Sequence, residues 1–303
     1  LNIFYYFVDP KFYTYRDLIH PQCQIFDLID NPVEEFEIWN KNLKSAIDTS
    51  DIIFYSSVYL EKIIKNINPD KPAYLISNGS DYDHFSRIHT KIPDRPPKIP
   101  KFNNNNKVII GYYGAVTSWL DQDLIKKIAN INNIHVVIIG GIKNLPTYNQ
   151  TFYHPNITWI EHVDYQDLPD YLYYFDICLI PFKLTEMIKG CNPIKIYEYC
   201  TTGKIILSTE LSHDIPVDIY YKIDHNNYQE IIHNISINQE YKNIRQNNIL
   251  FSKKHDWNIL VRKLENKLKI DYTIIYPPTV NYDFLMQRPA QIIRATSKIS
   301  RVR

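Results

Sequence analysis

Residues 176–209 read DICLIPFKLTEMIKGCNPIKIYEYCTTGKIILST, and the reading of this stretch decides the fold. DICLIPF and KIILS are short apolar runs of strand length. Between them lie a polar loop carrying Lys183, Glu186 and Lys189, and then Asn192 and Pro193. Asparagine is a favoured helix N-cap and proline suits the first helical position, so a helix is predicted over residues 193–200, with Gly203 ending it. Strand, loop, helix and strand in that order make one unit of a parallel sheet. The helix start offers free backbone N–H groups and a positive dipole end, which suit a phosphate. Lys195 and Glu198 are three residues apart and share a helix face. They supply a cation for a diphosphate and, one turn deeper, a carboxylate for a sugar diol, so the unit reads as a nucleotide-sugar site.

The same rhythm extends in both directions. Residues 1–90 read as strand (IFYYFV), helix (residues 33–48), strand (DIIFYSS), helix (VYLEKIIKNI) and strand (AYLIS), which predicts a parallel sheet covered by helices. A proline-rich linker follows over residues 91–106. A second α/β series fills residues 107–268. Its strands are KVIIGYYG, IHVVIIGG, ITWIE, DICLIPF and KIILS, with a further short one at DIYYKI. Its helices are predicted at residues 121–129, 167–175, 193–200 and 228–236, then at 240–252 and 257–268. Residues 269–303 restart the pattern as strand, polar loop and helix with no following strand. They read either as the start of a further domain or as a strand completing the first sheet.

A chain of 303 residues holds about two domains. Its net charge of +1 provides no global field for nucleic acid or an anionic membrane. Four cysteines without a Cys-x-x-Cys pair argue against a disulfide framework or a zinc site and for a reducing cytosol. No apolar run reaches the roughly 20 residues of a membrane span, and no signal peptide is visible. The first residue is Leu1, directly in a strand-like run, which reads as the middle of a domain.

Ligands of open parallel sheets bind outside the carboxyl ends of the strands. In the second series those ends carry Gly111, Tyr113 and Gly114, then Gly140 and Gly141, then His162 and Val163, then residues 181–193. The chain has only seven glycines, so the gathering of Gly111, Gly114, Gly140, Gly141 and Gly190 at strand ends points to close approach of backbone to a ligand.

Four blocks in order carry a family resemblance. DIIFYSSVYLEKI with YLISNGSDYDHF contains an Asn-Gly-x-Asp-x-x-x-Phe signature. IIGYYGAVTSWLDQDLI and ITWIEHVDYQDLPDYLYYFDICLIPF follow, and NPIKIYEYCTTGKIILST closes the series. Together they resemble GT-B glycosyltransferases of the family-4 type, nearest to those of teichuronic-acid and polysaccharide biosynthesis, whose closing helix HDWNILVRKLENKL also resembles. The resemblance implies two Rossmann-like α/β domains, with the N-terminal one incomplete here. It implies transfer of a sugar from a nucleotide diphosphate donor to a glycan or lipid-linked acceptor. Retention of anomeric configuration, no metal and no cofactor besides the donor substrate are implied as well, and no Asp-x-Asp pair stands at a strand end of the second series. Cytoplasmic location is implied, with peripheral membrane association open for a lipid-linked acceptor.

Carried over residue by residue, Glu198 would hold the ribose hydroxyls. Asn192, Pro193, Ile194 and Lys195 would lie near the diphosphate, the backbone around Gly114 would face the donor phosphates, and His162 and Val163 would sit near the base. Two departures stand out. The family's first glutamate, eight positions before Glu198, is Gly190 here, so the sugar-contacting carboxylate is missing or displaced to Glu186. The Arg and Lys that follow the first strand of the donor domain are absent from AVTSWLDQD, leaving Lys183 as a substitute cation. DYTIIYPPTVNYDFLMQRPAQII resembles the opening of a transferase domain, on Arg288 and Pro289 in particular. The expectation is a piece of a longer polypeptide with tandem units, or a first sheet completed in permuted order. The rival functions are a nucleotide-sugar epimerase and a degenerate, non-catalytic binding module.

Overall fold

The computed structural model describes residues 3–102, 107–142, 153–212, 214–237, 241–268, 273–275, 288–297 and 301–302. Twelve strands among them form two wholly parallel sheets of six. The first contains β1 (Ile3–Phe7), β2 (Cys23–Leu28), β3 (Ile52–Tyr55), β4 (Ala73–Leu75), β11 (Thr273–Ile275) and β12 (Arg301–Val302), in the order β12-β11-β1-β2-β3-β4. The second contains β5 (Val108–Tyr113), β6 (Ile134–Ile139), β7 (Ile157–Ile160), β8 (Ile177–Ile180), β9 (Ile205–Ser208) and β10 (Tyr221–Lys222), in the order β10-β9-β8-β5-β6-β7. The central strands of both sheets are buried on two faces, as their near-continuous apolar runs require, whereas the edge strand β4 exposes Tyr74 and Leu75. Strands β6, β8 and β9 are buried at every position.

The α/β architecture is the expected one, with four local corrections. Strand β2 was not foreseen, because CQIFDL carries Gln24 and Asp27 within it, and both are fully buried. The predicted helix at residues 33–48 begins as a 3₁₀ turn over Glu34–Trp39 and becomes α-helical only at Asn40–Thr49. The loop after β8 contains a helical turn, Glu186–Lys189, capped by the Thr185 hydroxyl accepting from the Ile188 N–H. A strand does follow the last helix, since β12 pairs with β11.

Residues 269–303 had two open roles, and the described part of them joins the first sheet. Strand β11 pairs in parallel with β1 through Ile3 and Thr273, Phe4 and Ile274, and Tyr5 and Ile275. The sheet expected to be incomplete therefore has six strands, two of them from the far end of the chain. Helix Arg288–Ser297 buries Ile292 and Ala295 in the cluster that holds Phe4, Tyr6 and Phe54. The helix Trp257–Leu268 enters that cluster through Trp257, Leu260, Val261 and Leu264. Burying side chains of this size stabilises by about 1.5–3 kcal/mol each relative to exposure, so the closing helix is anchored on the first sheet rather than the second.

The chain thus crosses between the sheets twice, and the two crossings touch. The Ser80 N–H donates to the His255 carbonyl at 3.0 Å, and the Trp257 N–H donates to the Ser80 carbonyl at 3.1 Å. A side chain on Gly79 would place its Cβ 2.3 Å from the His255 oxygen, so only glycine allows this approach. Among the described residues no helix is long and apolar enough to cross a membrane. All four cysteines are free thiols, with Cys178 and Cys200 in the core of the second sheet.

Candidate donor site

The carboxyl ends of β5 and β6 meet at two glycines in left-handed backbone, Gly114 at φ +137° and Gly140 at φ +153°. A Cβ on Gly140 would lie 1.9 Å from the Gly114 carbonyl, so the two turns press directly on each other. The helix Ile194–Thr202 starts beside this corner. Its Lys195 runs over Gly114, where an added Cβ would lie 3.0 Å from Lys195 Cε and 3.3 Å from Nζ. The ammonium sits 4.9 Å from the Phe182 ring centre and 5.5 Å from that of Tyr112.

Among the described residues no carboxylate pairs with Lys195 in an ion pair. Burial pulls its pKa down to about 8, opposed by the neighbouring Cys191 thiol. A cation kept among aromatic rings without a counter-ion is stabilised by an incoming anion. The helix start adds to this. Pro193 is the cap residue and provides no side-chain acceptor; the Ile196 N–H donates to its carbonyl at 3.1 Å, and no side chain caps the N–H groups of Ile194 and Lys195 before it. Asn192, expected to be that cap, instead reaches across the cleft, where its Nδ2 donates to the Ser56 carbonyl at 2.9 Å.

The sign of the Lys195 shift has a measurable consequence. An anion binds the ammonium form, so nucleoside diphosphate affinity is expected to hold at pH 7 and to fall as pH rises through about 8. Folding of the free protein runs the other way. Between about pH 8 and the ordinary lysine value of 10.5 the unfolded chain binds more protons, so apo stability from this group rises with pH. Calorimetric titrations at several pH values, beside denaturant midpoints, read both slopes. An affinity that stays flat across that range would contradict the placement of Lys195 against the diphosphate.

Glu198 is buried, and the Tyr113 hydroxyl donates to its Oε2. Burial, reinforced by Asp81, pushes its carboxyl well above the usual carboxylate range. Tyr113 is held in turn, as its N–H donates to the Tyr199 hydroxyl at 3.1 Å. The structure thus brings Gly114, Gly140, Tyr113, Lys195 and Glu198 into one contiguous cluster. Lys183 stands at its rim, donating from Nζ to the Ser118 carbonyl at 2.9 Å and so tying the loop after β8 to the loop after β5.

Other expected residues lie elsewhere. Gly111 is inside β5, and a Cβ there would fall 2.1 Å from the Phe175 ring, so this is a packing glycine and not a strand-end one. Glu186 is exposed, paired with Lys189, and touched by the Tyr59 hydroxyl at 3.3 Å. It does not point into an enclosed pocket. His162 is exposed and lies 3.0 Å from Asp164, while Val163 packs on the edge of the second core.

Gly190 explains its own departure from the family pattern. The Ser57 hydroxyl donates to the Gly190 carbonyl at 2.8 Å, and a Cβ at 190 would lie 3.0 Å from Asn31 and 3.2 Å from Leu60 and Tyr59. A glutamate side chain here would crowd all three neighbours, which would have to give by a few tenths of an ångström. The clasp continues through Asn31, whose Nδ2 donates to the Glu186 carbonyl at 2.9 Å, and through Asn78, whose Nδ2 donates to the Asn192 carbonyl.

Sequence reasoning missed the first-domain side of this cleft. Asp30, just past β2, is raised by burial to about 6, with Arg288 opposing. Burial pushes the Cys191 thiol up, and Asp30 raises it further while Lys195 lowers it, so both groups lie near enough to act on that thiol. An acidic residue after an apolar run was the available signal, hidden because the strand before it was not recognised.

No family model matches the chain. It is 25% identical over 255 residues to TuaH of Bacillus subtilis (strain 168), provisionally named a teichuronic acid biosynthesis glycosyltransferase. The match covers 77% of this chain but 61% of the relative, so the chain spans about three fifths of that protein's length. Among solved structures, sucrose-phosphate synthase from Thermosynechococcus elongatus superimposes with a TM-score of 0.64 at 12% identity, covering 88% of this chain and 73% of that one. Anabaena HepE in complex with UDP and glucose gives 0.66 at 11% identity, covering 88% and 77%. The catalytic domain of starch synthase IV from Arabidopsis thaliana, bound to ADP and acarbose, gives 0.64 at 14%, covering 88% and 72%. The chain has the GT-B fold of these glycosyltransferases, and its sequence is similar over three quarters of its length to a teichuronic acid biosynthesis glycosyltransferase.

Proposed function

We propose that this chain forms the donor-binding core of a glycosyltransferase that moves a sugar from a nucleotide diphosphate to a glycan or lipid-linked acceptor. The observation that carries the reading is Lys195, half-buried beside Gly114 at an uncapped helix start and without a carboxylate partner among the described residues. As the sugar leaves, negative charge builds on the diphosphate, and a preorganised ammonium with open N–H groups stabilises it more than the ground state. This positive charge supports a metal-independent transfer with Lys195 and Lys183 at the phosphates, and retention of configuration completes the reading by family resemblance. Glu198 would meet the ribose once Tyr113 yields its hydrogen bond. Neighbours solved with UDP, UDP-glucose and ADP support the donor class. The proposed location is the cytoplasm or the face of a membrane bearing the acceptor.

A second reading, a non-catalytic module of the same fold, is favoured by two contacts: the clasp that fills the space beside Gly190 and the engagement of Glu198 by Tyr113. Thermal-shift titration with UDP, GDP, ADP and their sugar conjugates, beside Glu198→Ala, separates the two. A ligand at 100 times its dissociation constant stabilises by about 2.7 kcal/mol. The expected result is a shift with one nucleotide that Glu198→Ala loses, with Glu198→Gln as the control for folding. No shift with any nucleotide would sink the transferase reading and leave the binding module.

A further inference from the structure

The far end of the helix Ile194–Thr202 opens onto a cavity of about 420 Å³. Its walls come from both halves of the molecule. His89, Thr90 and Lys91 belong to the segment leaving the first domain, whereas Tyr173, Lys204 and Arg245 belong to the second. Among the described residues the charged side chains lining it are Lys91, Lys204 and Arg245, with no carboxylate.

Two of these cations are held in place by their surroundings, and the carboxylate that acts on Lys204, Asp176, is not among the lining residues. Lys204 is fixed from behind, because Asn248 Nδ2 donates to its carbonyl at 3.0 Å. Its Nζ donates to the Tyr173 carbonyl at 2.8 Å, which uses one of three N–H groups. Burial lowers its pKa, and Arg245 adds to that lowering, while Cys178 and Asp176 oppose it. Arg245 is exposed and lies across Gly203, with Nε 3.2 Å from where a Cβ at that glycine would stand. The carbonyl ends of the helix would repel an anion. His89 offsets this at the nearest carbonyl, its Nε2 donating to Thr201 O at 2.8 Å.

We propose that this cavity is a binding site for a small phosphate-bearing anion, separate from the donor corner at the other end of the helix. Lys204 and Arg245 repel one another, Lys91 lines the same cavity, and a phosphate relieves that repulsion through charge-assisted hydrogen bonds. A bound anion would also bridge the segment from the first domain to the second, through Lys91 on one side and Lys204 and Arg245 on the other. The volume exceeds that of inorganic phosphate and leaves room for a phosphorylated sugar.

Inorganic phosphate, against sodium chloride at matched ionic strength, is the probe, because pyrophosphate would also occupy the donor corner. Wild-type protein is expected to gain a few degrees in Tm with it beyond the chloride control. The Lys91→Ala/Arg245→Ala double variant changes two exposed side chains and should melt like wild type in chloride, yet lose the phosphate-specific gain. Lys195→Ala, at the donor corner, should retain it. Equal gains in wild type and the double variant, a gain lost only in Lys195→Ala, or no gain beyond chloride would each overturn the site.

Discussion

Replacing Lys195 with alanine is expected to weaken nucleoside diphosphate binding by about 2–3 kcal/mol, roughly 30- to 150-fold, while the apo protein loses no stability at neutral pH. The two halves of this result have different causes. Affinity falls because the ammonium is the cation beside Gly114 and has no competing carboxylate among the described residues. Apo stability is kept because the variant removes a charge whose burial is unfavourable, as the fall of its pKa to about 8 records. A residue that merely packed the helix against Phe182 and Tyr112 would behave in the opposite way, costing stability and leaving affinity alone. Isothermal titration and a denaturant midpoint on the same variant distinguish the two.

The second large effect is expected in the first domain. Arg288→Ala should destabilise the fold by about 3–5 kcal/mol, because it strands a buried carboxylate. Arg288 and Asp27 are 2% and 0% exposed, and the guanidinium grips the carboxylate with Nε at 2.7 Å and Nη2 at 3.0 Å. Its Nη1 also donates to the carbonyls of Ile76 at 2.6 Å and Ser77 at 3.0 Å. The Tyr6 hydroxyl donates to the same Asp27 oxygen. One side chain therefore fastens the last helix to β1, β2 and the segment after β4. A double variant, Asp27→Leu with Arg288→Met, should recover much of the loss, since replacing both partners leaves no orphan charge. A change below about 1 kcal/mol in Arg288→Ala would mean that the last helix does not complete the first sheet.

The second domain was legible in the sequence because its strands are uninterrupted apolar runs and its helices carry clear starts and stops. VIIGYY, IHVVII, ICLI and IILS announce themselves, and Asp121 caps its helix with an acceptor for the Leu124 N–H at 2.9 Å. Elements whose logic is long-range were not legible. Strand β2 hides Asp27, whose polar character makes sense only beside Arg288, 261 positions later. Asn192 looks like a cap because it precedes a proline, but its amide is claimed by Ser56, 136 positions earlier. At the site, Gly114 and Gly140 read as a close approach of backbone to a ligand, whereas the structure presses the two turns on each other. Gly111 misled because a glycine inside a strand and one at its end look alike until Phe175 is seen filling the gap.

The displaced carboxylate shows the same limit. Glu186 was the nearest acidic side chain in sequence to the missing one, but it lies on the surface with Lys189. Asp30, across the cleft, shares the environment of Cys191 with Lys195 instead. Sequence proximity could not choose between them, because the choice depends on how the two domains meet.

The most direct test of the account is a crystal structure of this chain with a bound nucleoside diphosphate. The predicted result places the diphosphate at the corner of Gly114 and Gly140, with an oxygen within hydrogen-bond distance of Lys195 Nζ and of the N–H groups that open the helix Ile194–Thr202. A fully occupied nucleotide whose phosphates lie away from Lys195 would contradict it.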